Sequence, residues 1–218
     1  MGTITRSFAN NITTSGVLLP ASLTNNSIAN VTAYNAAVAT GNMVLISSQT
    51  ASASASISFT TGIDSTYKEY QFYFINYHPA NDSVNLVFNG STDGGSNYNV
   101  TKTTTNFRAR HDEADTGTDL MYLTGEDLAQ STAYQILASD IGNLNDEACS
   151  GYLSLFNPSS TTYVKHFISN FNCYLANNQS INFNVAGYFN TTSAINAVDF
   201  KMTTGNFDDG TILMYGIV

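Results

Sequence analysis

One stretch concentrates ionisable side chains: Arg108-Ala109-Arg110-His111-Asp112-Glu113-Ala114-Asp115, with Asp119 four residues further on. Three chemistries fit it. The simplest is a solvated loop with exposed ion pairs, each contributing roughly 0–1 kcal/mol. A sharper reading is a Ca2+ site at Asp112, Glu113, Asp115 and Asp119, because hard cations take several oxygen ligands. Their spacing lacks the pattern of an EF-hand. The third is a subunit contact, with Arg108 and Arg110 pairing to acids of a neighbour. The histidines, His78, His111 and His166, have no second His or Cys at ligand spacing and read as packing or surface residues. No phosphate-binding GxxxxGK[ST], no G-x-S-x-G elbow and no H-E-x-x-H occurs. The sequence therefore points to a chain that is not an enzyme and needs no cofactor. Tyr67, Tyr98, Tyr122 and Tyr134, amid Asn and Asp, could hold a glycan; Trp, the strongest stacking residue, is absent.

Charged residues make up only 11% of the 218 residues, against about 25% in ordinary globular proteins. Asn, Thr and Ser fill the surface instead. Such a surface suits burial against other subunits, because few charges must be desolvated. The net charge is −9 with seven Lys and Arg. That excludes the basic stripe a nucleic-acid binder needs and disfavours anionic membranes. The apolar run Val17-Leu18-Leu19 stops at Pro20, short of the roughly 7–15 residues of a secretory h-region. No segment approaches the roughly 20 apolar residues of a membrane span. A soluble chain made in a cytoplasm is expected. Cys149 and Cys173 each fall in a predicted strand. Buried free thiols are the simpler reading; a single disulfide requires the two strands to be neighbours.

The elements that must position these residues read as strands. Glu69 to Asn89 (EYQFYFINYHPANDSVNLVFN) reads as two strands joined by a turn at His78-Pro79-Ala80-Asn81-Asp82. In the first, Tyr70, Phe72 and Phe74 share one face, and Gln71, Tyr73, Ile75 and Tyr77 the other. Both faces are largely apolar, so both should be covered, and Tyr73 and Tyr77 become candidates for an oligomer contact. Val84, Leu86 and Phe88 alternate with Asn85, Val87 and Asn89, a one-sided strand. Thr50 to Ser56 (TASASAS) keeps period two and reads as a strand of small side chains leading into Ile57 to Thr60. Asp93-Gly94 flanked by strand-like runs signals a hairpin into the Thr-rich, edge-like run Tyr98 to Phe107. Arg108 to Ile141 is looser, with one helical turn at Glu126 to Ala129 and a short strand near Tyr134. Later strands are Tyr152 to Phe156, Tyr163 to Leu175 (bent or bulged), Ile181 to Val185 and Asn196 to Met202. Thr211 to Val218 is apolar enough to pair inside a sheet. About ten short strands at regular spacing and no amphipathic helix of useful length predict an all-β, antiparallel β-sandwich of jelly-roll type over residues 41–218.

Residues 1–40 lack a strand period. Ile4, Phe8, Ile12, Leu18 and Leu19 are spaced like intermittent anchors of an extended N-terminal arm that orders on a neighbouring subunit; a disordered tail is the alternative.

The runs SFTTGIDSTYKEYQFYFINYHPANDSVNLVFNGSTDGGSNYN, CSGYLSLFNPSSTTYVKHFI, VAGYFNTTSAINAVDFKM and GTILMYGI resemble a family of virion structural proteins of marine tailed bacteriophages, of the cyanophage and pelagiphage type. The opening TRSFANNITTSGVLLP has the same character. The resemblance implies a non-enzymatic virion component assembled in the host cytoplasm and carries no catalytic residues. With the oligomer reading above, the expectation is a homotrimeric, fibre- or knob-like appendage. Its arm would hold other virion proteins, and its loops would face the host surface and its glycans. A capsid decoration or cement protein is the alternative, and a glycan-binding or glycan-degrading domain a third.

Overall fold

The computed structural model describes residues 42–175 and 178–218. The arm expected over residues 1–40 lies outside them. The described residues form an all-β fold of two antiparallel sheets facing each other. Twelve strands run β1 (Met43–Thr50), β2 (Ile57–Phe59), β3 (Glu69–Pro79), β4 (Val84–Ser91), β5 (Lys102–Asp112), β6 (Thr118–Tyr122), β7 (Gln135–Ile141), β8 (Cys149–Phe156), β9 (Lys165–Leu175), β10 (Gln179–Phe189), β11 (Ala197–Met202) and β12 (Phe207–Ile217). They divide unequally. One sheet has eight strands in the order β1-β12-β3-β8-β9-β10-β5-β6, the other four in the order β2-β11-β4-β7.

Period-two burial positions the core between them. Phe72 and Phe74 of β3, Phe167 and Phe171 of β9 and Phe189 of β10 face inward from the large sheet; Phe59, Phe88 and Phe200 answer from the small one, all at 2% exposure or less. Phe200 is the hub, with ring centroids 4.9 Å from Phe74, 5.4 Å from Phe72 and 6.1 Å from Phe88. Edge-on and offset contacts of this kind suit the ring quadrupole and hold the two sheets in one register. The closing strand β12 lies between β1 and β3, as its apolar sequence demands.

Several expectations are corrected. β3 and β4 are both strands, but they belong to different sheets and do not form a hairpin. The turn after Pro79 carries the chain across the sandwich, so that Phe72 packs on Phe59 and Phe200 of the small sheet while Phe88 packs on Phe167 and Phe189 of the large one. The same holds after β4: Gly94 and Gly95 take positive φ in a real turn, yet β5 leaves for the large sheet. The run after Thr50 is not a continuous strand; Ala53 sits at φ 51° and only Ser54 makes a bridge, to Phe207. Residues Glu126 to Ala129 form no helix; the turn there covers 124–126. β5 extends through Asp112 as a strand paired on both sides, with β6 alone outside it. β9 runs in unbroken register with β10 from Lys165 to Leu175, with no bulge there.

The cysteines are also corrected: they are not free thiols. Cys149 and Cys173 stand directly opposite each other on β8 and β9, with Cα atoms 4.2 Å apart, and are joined as a disulfide. Both are buried. Adjacency of these two strands is a tertiary fact that the spacing of 24 residues does not disclose.

Candidate functional site

The two sheets differ in what covers their outer sides. The outer side of the small sheet is roofed by loops. Asn89 donates to the carbonyls of Tyr98 (2.7 Å) and Thr132 (3.0 Å). Asp199 accepts from Ser58 Oγ (2.6 Å) and Tyr134 Oη (3.0 Å), and Lys201 Nζ lies 4.0 Å from the centre of the Tyr134 ring. Asn89, Ser91 and Asp199 are consequently buried. Desolvation and the neighbouring Asp199 carboxylate push the Tyr134 phenol well above its ordinary range.

The outer side of the large sheet has no such roof among the described residues. Across its middle lie Tyr73, Tyr152 and Tyr215, with Tyr73 centroids 6.2 Å from Tyr152 and 5.8 Å from Tyr215. Ile75 and Ile168 are half exposed. Next to them runs an amide ladder on β9 and β10. Asn170 donates to Asn182 (3.0 Å) and Asn184 (2.6 Å), Asn182 donates back to Asn170 (3.0 Å), and Asn184 donates to Asn182 (2.7 Å). Asn172 donates to Ser180 Oγ (3.0 Å). By strand alternation and register, the outward-facing acids among the described residues of this sheet lie at strand ends, Glu69 on β3 and Asp208 and Asp209 on β12, and its outward-facing bases are the imidazoles of His78, His111 and His166, with His78 Nδ1 3.5 Å from Asp208. A flat face of tyrosines and amides already bonded to one another can be covered without stripping water from charges.

The candidate residues fare unequally. Tyr73 lies on this face, half buried. Tyr77 does not. Asn76 takes φ 45°, the register with β8 shifts between Phe74 and Tyr77, and Tyr77 turns into the core at 1% exposure. It packs on Phe74 and Phe171 and cannot reach a neighbour. The outer side of β3 is thus half open, where the sequence led us to expect cover. Ile4, Phe8, Ile12, Leu18 and Leu19 lie outside the described residues.

The acidic run is resolved into separate local roles. Asp119 faces inward from β6 and is held by Arg110 (Nη2 to Oδ2, 2.7 Å), with Arg108 Nε at 3.8 Å. The arginines therefore pair with an acid of their own chain. Asp112 accepts from the Thr116 N–H (2.8 Å) and hydroxyl (2.9 Å), and those bonds hold its carboxyl below the usual range. Asp115 bonds His111 at 3.1 Å. Among the described residues no three His, Cys, Asp or Glu side chains gather as a cation site. Of the glycan candidates, Tyr134 is engaged by Asp199, Tyr122 donates to Asp127 (2.7 Å), and Tyr67 packs edge-on against Tyr70. Tyr98 and Tyr134 both lie over the small sheet near Asp199, whereas Tyr67 packs beside β3 and Tyr122 sits on β6 of the large one.

Sequence reasoning passed over the amide ladder. Its signal was there: Asn recurs at every second position in Ser169-Asn170-Phe171-Asn172 and again in Asn182-Phe183-Asn184. No family model matches the chain, and neither a curated protein nor a solved structure is significantly similar to it.

Proposed function

We propose that the chain is a non-enzymatic structural component of a tailed-phage particle, a peripheral fibre- or knob-like appendage that works in several copies. The observation that supports assembly is the unroofed outer side of the eight-stranded sheet, free of charged side chains across its middle, on a protein of net charge −9. Two such chains repel wherever carboxylates meet. This face is where another subunit can be seated without that repulsion and without burying unpaired ions. Its tyrosines supply rigid aromatic area, and its asparagines keep their partners when water leaves. Placement on a phage particle rests on the sequence resemblance, and residues 1–40 are the attachment segment in this reading.

Immunogold labelling of intact particles is the test of placement, with regular labelling at tail, neck or head expected. Particles that carry none of the protein would end the reading. Tyr73→Lys tests the face itself. The fold should survive, because the residue points outward, while incorporation into particles should fall.

A further inference from the structure

Among the described residues the fold leaves four strand edges, and three are protected. β1 carries a bulge between Leu45 and Ser47. β2 has three residues. β7 follows β4 through two register shifts. Bulges and brevity are how edges avoid pairing with foreign strands. β6 has neither device. It pairs with β5 in unbroken register from Thr118–His111 to Tyr122–Phe107. It carries no Lys and no Pro. Its side chains are apolar where they are most open: Leu120 is 76% exposed, Tyr122 47% and Met121 46%, with Phe107 beside them at 42%.

The hydrogen-bond phase points the same way. Asp112 N–H donates to Gly117 O (3.1 Å) and Leu123 N–H to Asn106 O (2.9 Å). Antiparallel alternation then gives the pairs Arg110–Asp119 and Arg108–Met121 the bonds to β5. The N–H and C=O of Thr118, Leu120 and Tyr122 point away from the sheet and have no partner among the described residues.

From this edge we infer that β6 pairs antiparallel with β6 of a second copy, about a two-fold axis at Leu120. The occupant is a second copy because the strand is complementary to itself. Antiparallel registration on Leu120 sets Leu120 against Leu120 and Thr118 against Tyr122, so each open donor meets an open acceptor. Charge allows it too. Asp119, the only ionised side chain on β6, is turned inward and neutralised by Arg110 at 2.7 Å, so no like charges meet at the centre. Phe107, Leu120 and Tyr122 of the two copies then form one apolar strip. The inference deepens the self-assembly reading and replaces the expected three-fold contact with a two-fold one.

Light scattering and sedimentation equilibrium of the full chain at micromolar concentration test it, alongside three variants. The expected result is a dimer, or a multiple of one, for the native chain. Leu120→Lys should reduce it to half the mass. Leu120→Pro should do the same, because it removes only an N–H that faces away from β5. Leu120→Cys should give a disulfide-linked dimer on a non-reducing gel, since the native cysteines are already paired. Circular dichroism should be unchanged throughout. A monomeric native chain overturns edge pairing and self-assembly in free solution together, whereas particle labelling judges the virion reading separately. A trimer or other oligomer that Leu120→Lys and Leu120→Pro leave intact overturns edge pairing alone. A Leu120→Cys chain that forms no covalent dimer on oxidation also overturns it.

Discussion

Gly151 and Phe171 face each other across the β8–β9 ladder, and the phenyl ring lies over the glycine. A Cβ at position 151 would come 2.6 Å from Phe171 Cδ1, closer than carbon atoms approach. Gly187 and Phe167 repeat the arrangement across β9 and β10, where a Cβ would lie 3.0 Å from Phe167 Cζ. The bare backbone gives each ring a seat, and the ring covers backbone that would otherwise lack packing. Gly151→Ala should therefore destabilise the fold by about 1–3 kcal/mol, an overpacking cost, although alanine is the better strand former. Urea denaturation measures it. Combined with Phe171→Leu, the loss should persist, because the atom nearest the added Cβ is the backbone oxygen of Asn170, which the second substitution leaves in place.

The Cys149–Cys173 disulfide closes a loop of 24 residues in sequence separation within the core. Reduction, or the double replacement by Ala, should cost about 3 kcal/mol. The unfolded, unreduced chain should show no free thiol to a thiol reagent. Two reactive thiols per chain would contradict the pairing.

Lys102 is buried without a carboxylate partner. Its ammonium donates to the carbonyls of Val100 (3.1 Å) and Ala133 (2.5 Å), and burial draws its pKa down to about 7. Below pH 7 both folded and unfolded chains hold the proton and the full penalty applies. Between 7 and the ordinary value of 10.5 the unfolded chain binds more proton, so stability rises with pH. The gain is on the order of 5 kcal/mol at most across the whole interval. Burial raises the Tyr77 phenol, so above about pH 10 the unfolded chain loses a proton the folded one keeps, and the slope reverses. Melting temperatures from pH 7 to 9.5 should climb for the native chain, and Lys102→Met should flatten the climb.

Calcium at millimolar concentration should leave the melting temperature unchanged. Asp119 is committed to Arg110, Asp112 to Thr116 and Asp115 to His111, so three of the four acids first considered as ligands are already engaged apart from one another. A rise of several degrees that chelator reverses would show that they rearrange around the ion.

Strand existence and the choice of inward face were legible in the residues. Val198, Phe200 and Met202 alternate in sequence and are buried in the structure, and the closing strand was bound to be interior. Period two is a local property, set by the pleat, so a single chain displays it. The bonds at Asp93 were equally local: Asn97 and Ser91 donate to its carboxylate within seven residues, and those bonds hold it near pKa 2.

Which strands become neighbours was not local, and the tertiary structure decided it. The residues of β3 and β4 would serve a hairpin as well as two facing sheets; only the joint burial of Phe72, Phe88 and Phe200 selects the second. The disulfide, the inward turn of Tyr77 and the capture of Asp119 by Arg110 follow from the same selection. By itself the sequence determined that the protein would be β, sparsely charged and rich in amides. Where the uncharged surface stays open depends on which sheet the loops cover, and that is settled by contacts between residues far apart in the chain.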